Sequence, residues 1–268
     1  MNFSDSQIEK ILEIASLASQ RVVEVYKSSD FEVNLKKDNS PLTLADRLAQ
    51  EVIAAGLKEA FPEIPIISEE AKEIPFSQRS GWDSFWLVDP LDGTKEFIQK
   101  NGEFTVNIAL IEKTIPVFGV VVLPAYDQLY FGLKSKGAFR QDKGGKSKPI
   151  RTRKPLLDKI TVVRSRSHSS KEEDRMISSF TNPVVIHAGS SLKFCRVAEG
   201  QADLYLRSGP TMEWDTAAGQ AIAEASGAVV ANLDGTPFSY NKESLKNPGF
   251  ICASNRTLLH NLLENSKL

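Results

Sequence analysis

The stretch Phe85-Trp86-Leu87-Val88-Asp89-Pro90-Leu91-Asp92-Gly93-Thr94 constrains the fold more than any other part of the chain. Four apolar residues running into Pro and Gly read as a buried strand that stops in a turn. Pro90 fixes its own φ and disfavours helical geometry at Asp89, so the chain is expected to turn at once. The strand then delivers Asp89 at its C-terminal end, where open α/β sheets place their sites. Asp92 follows three residues later, and two carboxylates held that close call for a shared proton or a bound cation. Gly93 and Thr94 offer backbone N–H groups where a helix begins, a setting suited to phosphate. The same letters also make a good turn with no further role, so the rest of the chain has to decide between the two.

At 268 residues the chain suits one large domain or two intimate subdomains. A net charge of -1 with no basic run excludes a general attraction to nucleic-acid polymers, so an anionic ligand must be held by a local site. Cys195 and Cys252 are too few for a disulfide framework and lack metal-ligand spacing, which reads as core thiols in a reducing compartment. The polar N-terminus lacks a signal-peptide pattern, and no apolar run approaches the ~20 residues of a membrane span. The expectation is a cytoplasmic protein, with contact at the inner face of the membrane left open. No protein partner is legible.

Residues 4–27 carry Ile8, Ile11, Leu12, Ala15, Ala18, Val22 and Val25 on one helical stripe, with Ser4 and Gln7 at capping-box spacing. A second helix is expected over 43–60, stopped by Phe61-Pro62, with Thr43 and Asp46 at N-cap and N3. Asp46 can complement that helix start, accept a proton from a nearby site, or do both. Residues 64–70 form a second short strand ending in acids, Glu69 and Glu70. Neighbouring strands would bring those acids to Asp89. Residues 105–140 read as an antiparallel meander, and 160–268 alternate strand and helix. The fold class is therefore α/β with an α+β N-terminal half. Division falls in the Gly- and Lys-rich 141–148 segment, giving 1–148 with the acidic motifs and 149–268 with α/β alternation, joined as one catalytic unit. Asp215 opens a helix whose small residues Ala217, Ala218 and Gly219 permit close packing.

Glu69, Asp89, Asp92 and Asp215, with the Leu91 carbonyl, are all oxygen donors without His or Cys among them. That set selects a hard cation, Mg²⁺ before zinc or iron. Several carboxylates sharing Mg²⁺ ions make a two-metal site, which grips the attacking and leaving oxygens of an in-line displacement. The residues thus lead to phosphate ester hydrolysis and stop short of the substrate.

Asp89-Pro90-Leu91-Asp92-Gly93-Thr94, preceded by Ser68-Glu69-Glu70 and followed by Trp214-Asp215-Thr216-Ala217-Ala218-Gly219, resembles the inositol monophosphatase superfamily. The likeness extends to the segment from Lys36 to Asp46 and covers nearly the whole chain. It implies a layered α-β-α-β-α sandwich, dependence on two or three Mg²⁺ ions and inhibition by lithium. It implies metal ligands at Glu69, Asp89, the Leu91 carbonyl, Asp92 and Asp215, which with Gly93 and Thr94 also meet the substrate phosphate. Thr94 with Asp46 would activate the attacking water, and Asp38 is a second candidate for the base. Within the superfamily, Gly189-Ser190-Ser191-Leu192-Lys193-Phe194-Cys195 is similar to the adenosine 3',5'-bisphosphate nucleotidases, which clear a by-product of sulfate assimilation. That likeness implies a phosphorylated nucleotide as substrate. Ser190 as an N-cap hydroxyl, Lys193 and Arg207 would hold its second phosphate and adenosine, with His168 nearby. An inositol or sugar phosphatase, or a weakly active phosphate-binding regulator, are the other readings.

Overall fold

In the computed structural model, residues 3–28, 31–35, 41–156, 158–166 and 170–265 are described. Ser4 Oγ accepts the Gln7 N–H while Gln7 Oε1 accepts the Ser4 N–H, and this capping box starts helix α1 (Asp5–Lys27). Its apolar stripe buries Ile8, Ile11, Ala15, Ala18, Val22 and Val25 against α2 (Leu44–Ala60) and the adjoining sheet. That sheet has seven strands in chain order: β1 (Ile66–Ser68), β2 (Ser84–Asp92), β3 (Thr105–Glu112), β4 (Ile115–Leu123), β5 (Gln128–Leu133), β6 (Gly137–Asp142) and β7 (Lys148–Ile150). The pair β1–β2 is parallel and the remaining neighbours are antiparallel, the expected meander. A short helix, α3 (Thr94–Ile98), separates β2 from β3.

The second half alternates β8 (Thr161–Arg164), α4 (Lys171–Ile177), β9 (Val184–His187), α5 (Leu192–Ala198), β10 (Leu204–Arg207), α6 (Glu213–Ser226), β11 (Val229–Ala231), β12 (Phe250–Ala253) and α7 (Arg256–Asn265). Its strands form a five-stranded sheet in the order β9-β8-β10-β12-β11. β8 is parallel to both neighbours and β12 antiparallel to both of its own.

The period of two along each strand divides the side chains into three cores. Val106, Ile108 and Leu110 of β3 join the core under α1 and α2, while Ala109 and Ile111 join a central core with α5 and α6. Val163, Tyr205, Phe250 and Cys252 of the second sheet close that central core from the other side. Val162, Leu204, Leu206 and Ile251 instead meet Met176 of α4 and Leu258 and Leu262 of α7. The layers are therefore α-β-α-β-α. α6 can lie in the middle because its side facing α5 is small: a Cβ on Gly219 would stand 2.4 Å from the Phe194 ring. β7 pairs with β6, so residues 148–150 stay with the first sheet. Among the described residues no helix is long and apolar enough to cross a membrane.

One local expectation is corrected. β2 does not stop at Asp89. It pairs Asp89 with Asn107 and then Asp92 with Thr105, so two residues on β2 face one on β3, a β-bulge. Pro90 fits the bulge because an unpaired residue there needs no N–H. The turn itself waits for Gly93, at φ 89°.

Candidate active site

Parallel pairing of β1 with β2 places Ser68 beside Val88, and the Glu69 N–H donates to the Val88 carbonyl. Glu69, just past the end of β1, thus lies beside Asp89 at the bulge of β2. Asp215 comes from α6, where its Oδ2 accepts the Met212 N–H at 2.8 Å and fixes the helix start. Glu69, Asp89 and Asp215 each offer a carboxylate oxygen within 4.8 Å of the others. At an effective dielectric near 20, full charges at that spacing repel by roughly 3–4 kcal/mol per pair. One N–H on Asp89 Oδ1, donated by Leu91 at 3.0 Å, does not offset that. Burial pushes the Asp89 carboxyl well above the usual carboxylate range, and the charges of Glu69, Asp92 and Asp215 push it further. Asp215 is raised by burial, then by Asp92 and Glu69, against the opposing Met212 N–H and Arg207. Three carboxylates this close together, all oxygen donors, fit a hard divalent cation.

Asp92 stands outside this trio. Its Oδ2 lies 3.1 Å from the Ser191 hydroxyl, and loss of solvent raises its carboxyl to about 6 while Lys193 and Ser191 hold it down. Thr94 Oγ1 donates to the Leu91 carbonyl at 3.3 Å, closing the turn below the acids.

A cleft of about 270 Å³ takes in Asp92 and Asp215 and extends to a cationic end lined by Lys193, Arg207 and Tyr205. Lys193, placed in the first turn of α5, is buried, donates to the Ser190 carbonyl at 2.7 Å and lies 5.3 Å from the Tyr205 ring centroid. Burial lowers its ammonium to about 8, the nearby Asp92 opposes that fall, and Arg207 adds to it. The Arg207 Nε is buried without a hydrogen-bond partner. Lys193 is thus desolvated and Arg207 keeps one buried donor unused, a pair of cations suited to an anion.

Two expectations change at the start of α5. The helix begins at Leu192 with Ser191 before it, so Ser190 is not its N-cap. Ser190 sits at φ 46°, and its hydroxyl lies 2.9 Å from the carbonyls of both Asp92 and Glu103. It therefore bolts the α5 entrance to the β2 turn while it also lines the cleft. Gly93 has to be glycine for this approach, since a Cβ there would stand 2.1 Å from Ser190 Oγ. Asp46 is buried, and its Oδ2 accepts the Thr43 N–H at 2.7 Å and the Thr43 hydroxyl at 2.6 Å. Pro41 lines the cleft, so the approach to α2 borders it. Asp38 and His168 lie outside the described residues.

Ser191 was not singled out in the sequence. Its hydroxyl lies 2.8 Å from the Asp215 carbonyl and 3.1 Å from Asp92 Oδ2, and it accepts from Asn107 Nδ2 at 3.0 Å. It joins two of the acids to the floor of the first sheet. Two adjacent serines carry no sequence signal that tells which one does this.

A profile of the "Inositol monophosphatase family" matches residues 5–267. The "3'(2'),5'-bisphosphate nucleotidase CysQ" of Salmonella typhimurium is 45% identical over 246 residues, 91% of this chain and 98% of that protein. Its namesake in Escherichia coli (strain K12) is 44% identical over the same shares of the two chains. Among solved structures, CysQ from Bacteroides thetaiotaomicron, described as a bacterial member of the inositol monophosphatase family, aligns with a TM-score of 0.85 at 42% identity. That alignment covers 95% of this chain and 99% of the other. The IMPase of Thermotoga maritima shares the fold, with a TM-score of 0.79 at 22% identity over 98% and 97% of the two chains.

Proposed function

Because the chain belongs to the inositol monophosphatase family, we propose that it is a Mg²⁺-dependent 3'(2'),5'-bisphosphate nucleotidase. It removes the 3'-phosphate of adenosine 3',5'-bisphosphate and leaves AMP and phosphate, which would clear a by-product of sulfate assimilation. The observation that carries this reading is one cleft lined by Asp92 and Asp215, the latter a member of the acidic trio, and by the cations Lys193 and Arg207. A substrate with one phosphate to cleave and another to hold uses both ends.

Glu69, Asp89, the Leu91 carbonyl, Asp92 and Asp215 would hold two or three Mg²⁺ ions. When bound, the metal supplies a polarised phosphoryl oxygen and a more acidic water. Thr94 and Asp46, each at a helix start, are assigned to orient the attacking water and take its proton. The water oxygen bonds to phosphorus as the bond to the 3' oxygen breaks, and that oxygen leaves with a proton. Lys193 and Arg207 hold the 5'-phosphate and so fix which ester faces the acids. Inhibition by lithium belongs to the same reading.

The test is kcat/KM, with Mg²⁺, for adenosine 3',5'-bisphosphate and for inositol 1-phosphate. We expect a preference for the bisphosphate of about a hundredfold or more, because an inositol leaves Lys193 and Arg207 without an anion. An equal or inverted preference rejects the proposal.

A further inference from the structure

Asp92, among the acids that line the cleft, ends β2 of the first sheet, while the cations hang on β10 and α5 beside the second sheet. Cleavage of one phosphate while another is held requires a fixed distance between these ends. Glu103, on the connection between α3 and β3, does not line the cleft yet touches both sides of it. Its side chain is 13% exposed. Glu103 Oε2 accepts the Gly189 N–H at 2.9 Å, just before α5. Arg166 closes on the same carboxylate as a fork, with Nε 3.0 Å from Oε2 and Nη2 2.7 Å from Oε1. The Glu103 carbonyl lies 2.9 Å from the Ser190 hydroxyl, which is equally close to the Asp92 carbonyl.

Sterics commit the chain to this contact. A Cβ on Gly189 would stand 2.4 Å from the Glu103 carbonyl, so only glycine lets the two backbones meet. Ser190, at φ 46°, then turns the chain so that its own carbonyl receives Lys193 Nζ at 2.7 Å. The route from Glu103 to the buried cation is thus two residues and three hydrogen bonds long. Arg166 adds a second route, because its neighbour Ser165 lines the cleft where β8 ends. Burial alone would raise the Glu103 carboxyl, but the Arg166 fork and the Gly189 N–H outweigh it and hold the group below its ordinary range.

We propose that Glu103 is a positioning residue that clasps the Gly189–Ser190 turn and Arg166, and so sets the distance from the metal carboxylates to the cations that receive the second phosphate. This rests on the bisphosphate reading above. Loosening the clasp should impair recognition of a substrate that spans both ends and spare one that occupies the acidic end alone.

The experiment compares kcat and KM for adenosine 3',5'-bisphosphate and adenosine 3'-monophosphate in the full chain with Mg²⁺, for wild type, Glu103→Ala, Glu103→Gln and Arg166→Met. Glu103→Ala is expected to raise KM for the bisphosphate about tenfold, with kcat and the monophosphate constants within about twofold. Glu103→Gln keeps an acceptor for Gly189 while losing the charge, so it should recover about half of that loss on a logarithmic scale, alongside Arg166→Met. Equal effects on both substrates, or a fall in kcat with KM unchanged, would overturn the assignment. If Glu103→Ala fails to fold, the other two variants decide by the same split. A wild type that ignores the bisphosphate rejects the proposed function instead, whereas a selective wild type with unaffected variants rejects the clasp alone.

Discussion

At one end of the cleft burial raises the carboxyls of Asp89 and Asp215, and at the other it lowers the ammonium of Lys193 to about 8. The cause is the same, since removal from water disfavours the charged form of either group. The remedies differ. The acids repel one another within 4.8 Å and call for a cation, while Lys193 and Arg207 repel each other and call for an anion. The two ends of one cleft thus call for charges of opposite sign, a cation at one and an anion at the other.

The comparison breaks most visibly at the acidic end. Asp89→Asn removes a proposed metal ligand and one of the mutually repelling charges, and should cut kcat/KM by a factor of about 10³ or more. Thermal unfolding should show the fold intact, because Asn has the same shape and relieves repulsion. Turnover near that of wild type would mean that the acids are only a strand-end cluster.

A smaller effect is expected at the cationic end. Lys193→Met should lower kcat/KM for the bisphosphate by about 10- to 100-fold and leave inositol 1-phosphate nearly untouched. For wild type, the bisphosphate profile should decline on the alkaline side near pH 8 as Lys193 loses its proton, and Lys193→Met should lack that limb. A decline that persists in the variant assigns it to another group.

The smallest effect concerns stability without metal. Asp89, Asp92 and Asp215 bind their protons more tightly folded than unfolded. Their stabilising contribution is complete below the unfolded value near pH 4 and is lost as pH rises through the raised folded values, about 6 for Asp92. In a chelator, Tm should therefore fall by several degrees between pH 5 and pH 8. Mg²⁺ should abolish most of that fall, since a cation replaces the protons. A metal-free Tm that climbs over this range would contradict the sign.

Much of this was legible from local spacing. Ser4 and Gln7 gave the first cap, the small residues at 217–219 announced the buried α6, and two acid-ended strands pointed to one site. The cap and the small-residue signal each lie within a few residues of their consequence. The bulge at Pro90 was missed because the strand's continuation depends on Thr105 of β3. Ser191, not Ser190, precedes α5, because a positive φ at Ser190 turns its hydroxyl toward Asp92 and Glu103. The Glu103–Arg166 fork joins residues 63 positions apart, beyond any periodic reading.

Calorimetric titration of Mg²⁺ into the metal-free chain at neutral pH addresses the central claim most directly. Wild type should bind saturably, Lys193→Met should bind as wild type does, and Asp89→Asn should lose most of the binding heat. Undiminished binding by Asp89→Asn would contradict the account, because the cation would then be held somewhere other than among these acids.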